Sequence, residues 1–217
     1  MKYKIFLFDL DGTLIDSSQG ITSSVAYALN KKGIPHNGID SLKHFIGPPL
    51  KEQFMNCYGL SPDDGCEMVS LYREYYSIKG IFECELYSGI RELLTRLKSE
   101  CAIVALATSK PEKYAKMILE HFGIIEMFDV VAGAKMDNTR TCKADVITYA
   151  LDSISEGYNK SAVVMIGDHL ADVVGAKSCG VDCVFVTYGF GDTEKGREAG
   201  PITCVDTVSE LEEYIFN

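Results

Sequence analysis

The sequence predicts an α/β protein with a Rossmann-like parallel sheet and an all-helical segment inserted near the N-terminus. Short apolar runs suited to buried strands recur along the chain, and amphipathic helical patterns lie between most of them. This alternation stops between residues 16 and 82, where only helical patterns occur. Polar residues also come directly after several apolar runs, as expected where a ligand binds beyond the carboxyl ends of parallel strands.

The predicted strands and helices alternate in the order that a parallel sheet requires. The first strand is residues 5–8, and the later strands are residues 102–107, 129–132, 162–166 and 183–187. Apolar residues at helical spacing lie between them: Ile90, Leu93, Leu94 and Leu97; Ala115, Ile118, Leu119 and Phe122; Ile147, Ala150, Leu151 and Ile154. Parallel strands joined by helices predict a sheet that is covered on both faces.

The inserted segment predicts a second domain. Its helical patterns are separated by Gly33-Ile34-Pro35 and by Ser61-Pro62, which are typical of turns. We therefore expect a core domain made of residues 1–15 and 83–217 and a helical cap made of residues 16–82. Such a cap could close over a substrate and exclude water, with the two crossings as hinges. The alternative is a fixed helical subdomain.

Composition excludes several classes of partner. The chain has 217 residues, 47% of them apolar, and a net charge of −10, which disfavours nucleic acid and anionic membranes as partners. The N-terminal apolar run is too short to cross a bilayer. Eight cysteines without a CxxC pair or a secretory signal indicate reduced, mostly buried thiols and a cytoplasmic location. No pattern predicts an oligomeric state.

The sequence Asp9-Leu10-Asp11-Gly12-Thr13 directly follows the first strand. Four fixed residues at this spacing are expected by chance at only about 10⁻⁵ per start position. A calcium loop would need glycine at the sixth position, whereas Gly12 is the fourth residue here. Because side chains along a strand repeat every second residue, Asp9 and Asp11 are expected to point into one pocket.

Three more polar segments accompany this motif. Thr108 and Ser109 follow a predicted strand, and Asp168 follows another, so these residues are expected near Asp9 at one edge of the sheet. Lys143 precedes a predicted helix, where its charge opposes the positive end of the helix dipole and so suggests a functional role. Lys135 is the alternative to Lys143 for that role.

With these motifs the chain resembles the haloacid dehalogenase superfamily of phosphotransferases, in particular its phosphoglycolate phosphatase-like branch with a helical cap. The resemblance spans nearly the whole chain. It implies that Asp9 is the nucleophile, that Asp11 is the general acid and base, and that the cofactor is Mg²⁺. The metal ligands would be the Asp9 carboxylate, the Asp11 main-chain carbonyl and Asp168, with Asp172 nearby.

The resemblance also implies how the substrate is bound. Thr108 and Ser109 would bind the phosphate together with Lys143. In the cap, the loop that contains Gly47, Pro48 and Lys51 lies where related enzymes contact their substrates.

The function expected from the sequence is Mg²⁺-dependent hydrolysis of small phosphorylated metabolites. Phosphoglycolate, a nucleoside monophosphate and pyrophosphate are the candidate substrates. A sugar-phosphate mutase would use the same core residues and is one alternative. A catalytically silent protein that senses a phosphorylated metabolite is another, although the complete set of Asp9, Asp11 and Asp168 argues against it.

Overall fold

The computed structural model describes residues 1–135, 139–140, 142–154 and 157–217. The chain divides into two compact units. The first unit, which we call the core unit, comprises Met1–Asp16 and Leu86–Asn217. The second unit, which we call the helical unit, is Ser17–Glu85.

The strands and helices are numbered in chain order. The strands are β1 (Ile5–Phe8), β2 (Ile15–Asp16), β3 (Glu85–Leu86), β4 (Ile103–Pro111), β5 (Val130–Ala134), β6 (Val163–Gly167), β7 (Asp182–Val186) and β8 (Thr203–Val205). The α-helices are α1 (Ser18–Lys31), α2 (Leu50–Tyr58), α3 (Pro62–Tyr76), α4 (Ile90–Ser99), α5 (Glu112–His121), α6 (Lys143–Asp152), α7 (Leu170–Cys179), α8 (Thr193–Glu198) and α9 (Val208–Phe216).

Within the described residues, the core unit contains a six-stranded sheet in the order β5-β4-β1-β6-β7-β8. All of its strand pairs are parallel. Every residue of β1 is buried, which explains why that strand is a continuous apolar run rather than an alternating one. The predicted α/β fold with a parallel sheet is confirmed.

Helix α6 packs its apolar side against the sheet. Its residues Val146, Ile147 and Ala150 are fully buried in a cluster that also contains residues of β1, β4 and β6. Fully burying one large aliphatic side chain stabilises a fold by about 1.5–3 kcal/mol. This packing fixes the first residue of α6, Lys143, near the sheet.

The structure differs from the sequence predictions at strand β8 and in the burial of the cysteines. Strand β8 was not predicted, because it is only three residues long, lies at the edge of the sheet and lacks a long apolar run. None of the eight cysteines, all within the described residues, forms a disulfide, but most are not buried: only Cys183 is buried and four are exposed. The number of cysteines in a sequence does not show which of them face the interior of the fold.

The helical unit contains α1, α2 and α3 and two 3₁₀ segments, Ile39–Phe45 and Gly80–Phe82. Tyr72 and Tyr76 are buried, and their rings stack with centroids 5.2 Å apart, so they belong to the packed interior of this unit. The chain segments that enter and leave the unit form a two-stranded sheet, β2 with β3. Among the described helices, none combines the length and apolar character that a membrane span would need.

Cys101 has a left-handed backbone conformation, with φ at 55°, in an exposed turn after α4. A side chain with a Cβ atom is strained there, whereas glycine is not. Replacing Cys101 with Gly is expected to raise the free energy of unfolding by about 0.5–1 kcal/mol, measured by urea denaturation. Cys101→Ala is the control, because it removes the thiol and keeps the Cβ atom. Equal stability of the two variants would contradict the prediction.

Candidate active site

The site lies at the carboxyl ends of the central strands of the core unit. Asp9 directly follows β1, and Asp168 directly follows β6, which pairs with β1. Thr108 lies within β4, the other neighbour of β1, because that strand continues to Pro111. Parallel strands thus bring all three residues to one edge of the sheet.

Three buried carboxylates form an acidic cluster, which consists of Asp9, Asp168 and Asp172. One oxygen of each lies within 4.8 Å of the others. Asp172 is fully buried, and Asp168 and Asp9 are only 3% and 8% exposed. Carboxylates this close in a buried place repel one another, so the cluster needs positive charge.

Lys143 supplies one positive charge to the acidic cluster. Its Nζ lies 2.9 Å from Asp9 Oδ1 and 2.7 Å from Asp172 Oδ1, and it also donates a hydrogen bond to the Ala107 carbonyl. Burial alone would lower the pKa of this lysine, but Asp172 and Asp9 raise it above the ordinary value. Lys143 is therefore a charged residue inside the protein.

One ammonium does not balance three carboxylates. Burial, followed by the charges of Asp9 and Asp172, raises the pKa of Asp168 to about 7. Burial also raises the pKa of Asp172, although Lys143 acts in the opposite direction. The ionised cluster thus needs further positive charge.

Asp168 is held by hydrogen bonds from two directions. Its Oδ2 accepts main-chain N–H groups from Phe190 at 2.8 Å and Gly191 at 3.2 Å. Its Oδ1 accepts the Thr13 hydroxyl at 3.3 Å. The two main-chain donors lower the pKa of Asp168, opposing the effect of burial, and all three donors fix the direction of its carboxylate.

Asp172 is oriented by the start of helix α7. Its Oδ2 accepts the His169 main-chain N–H at 3.0 Å, while His169 Nδ1 accepts the N–H of Ala171 at 3.2 Å, forming a capping box. Burial lowers the pKa of His169, which favours the neutral ring that can accept this bond. His169 thus has a capping role, and it is not part of the acidic cluster.

Asp11 is placed differently from the strand-based expectation. Strand β1 ends at Phe8, so a turn rather than strand alternation positions Asp11. Both of its carboxylate oxygens accept hydrogen bonds from Lys110 Nζ, at 2.8 and 2.7 Å. The Asp11 carboxylate therefore pairs with Lys110 and is not one of the three in the acidic cluster.

Gly12 lies in the turn that follows Asp9. Its φ is 78°, and a Cβ atom built on it would lie 2.2 Å from Asp168 Oδ2. Both the backbone conformation and the space beside Asp168 therefore require glycine. The main chain at Gly12 thus packs directly against the Asp168 carboxylate.

The other residues predicted for phosphate binding differ in their placement. Thr108 is buried, and its Oγ1 accepts the Lys110 main-chain N–H at 3.2 Å, whereas the next residue, Ser109, is exposed. Lys135, the alternative to Lys143, has an exposed side chain. Of these two lysines, it is Lys143 that contacts Asp9.

The predicted specificity residues lie in the helical unit. Gly47 is exposed with φ at 101°, and Pro48 precedes Pro49, the residue before α2. Lys51 is the second residue of α2 and is half-buried.

The acidic cluster fits a hard divalent cation. Apart from the Lys143 ammonium, the buried oxygens Asp9 Oδ1 and Asp172 Oδ1 have no hydrogen-bond donor among the described residues. Ionisation of the cluster and of Lys143 leaves a charge of about −2, which a divalent cation would neutralise. Oxygen ligands of this kind suit Mg²⁺.

Comparison with known proteins identifies the family. A model of the haloacid dehalogenase-like hydrolases matches residues 6–186. The chain belongs to that family. One curated relative, the 5′-nucleotidase of Pseudomonas aeruginosa, is 41% identical to this chain, over 93% of this chain and 90% of the relative. This chain is also 39% identical to the tyrosine-protein kinase PtkA of Mycobacterium tuberculosis over 98% of this chain and 72% of the relative.

A solved structure shows the same similarity over the full length. The structure of a "predicted phosphatase" from Clostridium acetobutylicum is 42% identical, with a TM-score of 0.90 over 99% of each chain. Family membership and relatives named as phosphatases confirm the prediction that this family member is a phosphatase.

The sequence interpretation missed several residues around the acidic cluster. Lys110 was assigned no role from the sequence, yet it pairs with Asp11. The segment Tyr188-Gly189-Phe190-Gly191 was not considered, although it begins two residues after the end of β7, at the same edge of the sheet. Asp9 and Asp168 were selected because residues that follow parallel strands meet at one edge of the sheet. This segment could have been selected for the same reason.

Proposed function

We propose that this protein releases inorganic phosphate from small phosphorylated metabolites by hydrolysis, with Mg²⁺ as cofactor and a phosphoryl group carried transiently on Asp9. The observation that supports this most strongly is the position of Asp9. Its carboxylate lies at the end of the central strand, 2.9 Å from Lys143 and inside the acidic cluster. This combination provides a nucleophile next to both a fixed cation and oxygen ligands for a second one.

Asp9 is proposed to attack the substrate phosphorus in line with the leaving oxygen. A bond forms between an Asp9 oxygen and phosphorus as the bond from phosphorus to the leaving oxygen breaks. Water then attacks the phosphorus of the aspartyl-phosphate, which releases inorganic phosphate and restores the Asp9 carboxylate. Splitting the hydrolysis in this way replaces one difficult displacement with two easier ones.

Asp11 is proposed to give a proton to the leaving oxygen and later to accept one from the attacking water. Positioned acid and base groups typically contribute about 10²–10⁴-fold in rate. Both Asp11 carboxylate oxygens accept hydrogen bonds from Lys110 Nζ. For the first step, we propose that the pair opens so that Asp11 can hold the proton.

The metal ion, Thr108 and Ser109 are proposed to bind the phosphate group of the substrate. Mg²⁺ held by Asp9, the Asp11 main-chain carbonyl and Asp168, with Asp172 as a neighbouring carboxylate, would neutralise phosphate oxygens when bound. Lys143 keeps Asp9 oriented and balances the charge of Asp172. Thr108 and Ser109 are proposed to donate hydrogen bonds to the phosphate.

Nucleoside monophosphates are the first candidate substrates, because the relative from Pseudomonas aeruginosa is named a 5′-nucleotidase. Phosphoglycolate and pyrophosphate are the other candidates. The contribution of Gly47, Pro48 and Lys51 to substrate choice stays a prediction.

Phosphate release from a substrate panel tests the proposal. We expect the protein to release inorganic phosphate from at least one nucleoside monophosphate, phosphoglycolate or pyrophosphate when Mg²⁺ is present. A chelator should abolish that release, and added Mg²⁺ should restore it, because the acidic cluster lacks positive charge without a cation. Unchanged release in excess chelator would contradict the proposed cofactor. Absence of release from the whole panel would contradict the proposed substrate class.

A further inference from the structure

We propose that the segment Tyr188–Gly191, which we call the glycine loop, is a positioning element that holds Asp168 ready for the divalent cation. The inference rests on the proposed metal site of the core unit. The glycine loop contacts both chain segments that contribute to that site, one through main-chain N–H groups and the other through the Tyr188 hydroxyl.

The first contact fixes one oxygen of Asp168. The N–H groups of Phe190 and Gly191 both donate to Oδ2, so the carboxylate cannot rotate without breaking two hydrogen bonds. Hydrogen bonds from neutral donors also stabilise the ionised carboxylate beside two other acidic groups. Ligands oriented in this way bind metal ions more tightly, because less freedom is lost on binding.

The second contact fixes the segment that follows Asp9. The Tyr188 hydroxyl donates to the Thr13 carbonyl at 2.9 Å, while the Thr13 hydroxyl donates to Asp168 Oδ1 at 3.3 Å. The half-buried Tyr188 ring packs edge-on against Tyr87, with centroids 4.9 Å apart, which limits its movement. Hydrogen bonds thus link Tyr188 to Thr13 and Thr13 to Asp168, and the N–H groups of Phe190 and Gly191 link Asp168 back to the glycine loop.

The glycine loop approaches Asp168 as closely as a main chain can. A Cβ atom on Gly189 would lie 2.4 Å from both Asp168 Oδ2 and the Gly12 carbonyl oxygen. A Cβ atom on Gly191 would lie 1.9 Å from the Asp168 carbonyl oxygen. Neither glycine has a positive φ, so close approach, rather than backbone conformation, explains why both are glycine.

Binding of Mn²⁺ in the absence of substrate tests the proposal. Mn²⁺ stands in for Mg²⁺, and its affinity is measured by electron paramagnetic resonance, so that turnover is not part of the result. Tyr188→Phe removes only the hydroxyl and is expected to weaken Mn²⁺ binding by about tenfold or more, as loss of a group that orients a metal ligand does. Gly189→Ala should weaken it further, because the added methyl group displaces Asp168.

Tyr3→Phe is the matched control. Tyr3 is buried, and its hydroxyl donates to Asp182 Oδ2 at 2.7 Å and accepts from Lys2 Nζ, so the variant also loses a hydrogen bond donated by a tyrosine, but at the start of β7. Thermal unfolding of both variants measures the purely structural cost. The proposal requires Tyr3→Phe to keep wild-type Mn²⁺ affinity while Tyr188→Phe loses it.

Two results would overturn the proposal, and they have different meanings. If Tyr188→Phe bound Mn²⁺ within about twofold of the wild type, the glycine loop would have a structural role only, and the proposed metal site would stand. If the wild type itself bound no Mn²⁺, the proposed metal site and the positioning role would both be wrong. Phosphate release by the wild type then decides separately whether the proposed reaction survives.

Discussion

Replacing Asp9 with Asn is expected to lower phosphate release by at least about 10⁴-fold. An amide of the same shape cannot form the bond to phosphorus, and loss of a nucleophile removes a whole reaction path rather than one favourable contact. The fold should be retained, because Asn occupies the same volume and removes one of three crowded negative charges. Initial rates for the best substrate of the panel, measured in Mg²⁺, give the result.

Asp182→Asn is the control for this change. Asp182 undergoes the same isosteric replacement, and it lies at the start of β7, at the opposite end of the sheet from Asp9. We expect its turnover to equal that of the wild type. Activity of Asp9→Asn close to that of this control would refute the assignment of Asp9.

Replacing Lys143 with Met is expected to lower the free energy of unfolding by about 3–5 kcal/mol and to abolish turnover. Lys143 is 5% exposed and pairs with both Asp9 and Asp172, so the variant leaves two buried carboxylates without their cation. Breaking one side of a buried ion pair costs this much because the partner charge stays buried. Urea denaturation, carried out in chelator, gives the free energy of unfolding.

Lys135→Met separates this effect from a general loss of positive charge. The Lys135 side chain is exposed, and substitutions of that kind usually change stability by less than about 0.5 kcal/mol. We expect this variant to keep its turnover. If Lys135→Met lost turnover while Lys143→Met retained it, the two lysines would have been assigned the wrong way round.

Much of this fold can be predicted from the sequence because the spacing of apolar residues along the chain reflects which side chains are buried. Strand β1 is apolar throughout because all of its residues are buried, and the alternation of strands and helices leaves few possible topologies. Strand β8 was missed for the same physical reason: an edge strand of three residues has no comparable pattern.

The candidate site was predicted less completely, because its details depend on contacts between distant segments. The positions of Asp9 and Asp168 follow from the strands that they end. Nothing in the local sequence shows that Lys110 pairs with Asp11, 99 positions away, or that the N–H groups of the glycine loop reach Asp168. Main-chain donors in particular leave no side-chain pattern, so the close approach to Asp168 is marked in the sequence by glycines, at positions 12, 189 and 191.

The proposed covalent step on Asp9 can be tested directly by chemical trapping. The protein is mixed with substrate and Mg²⁺, quenched during turnover and treated with borohydride, which reduces an aspartyl-phosphate to homoserine. Peptide mass spectrometry then locates the reduced residue. We predict homoserine at position 9 when substrate and Mg²⁺ are both present, and none when either is omitted. Sustained turnover without reduction at position 9, or reduction at another aspartate, would contradict it.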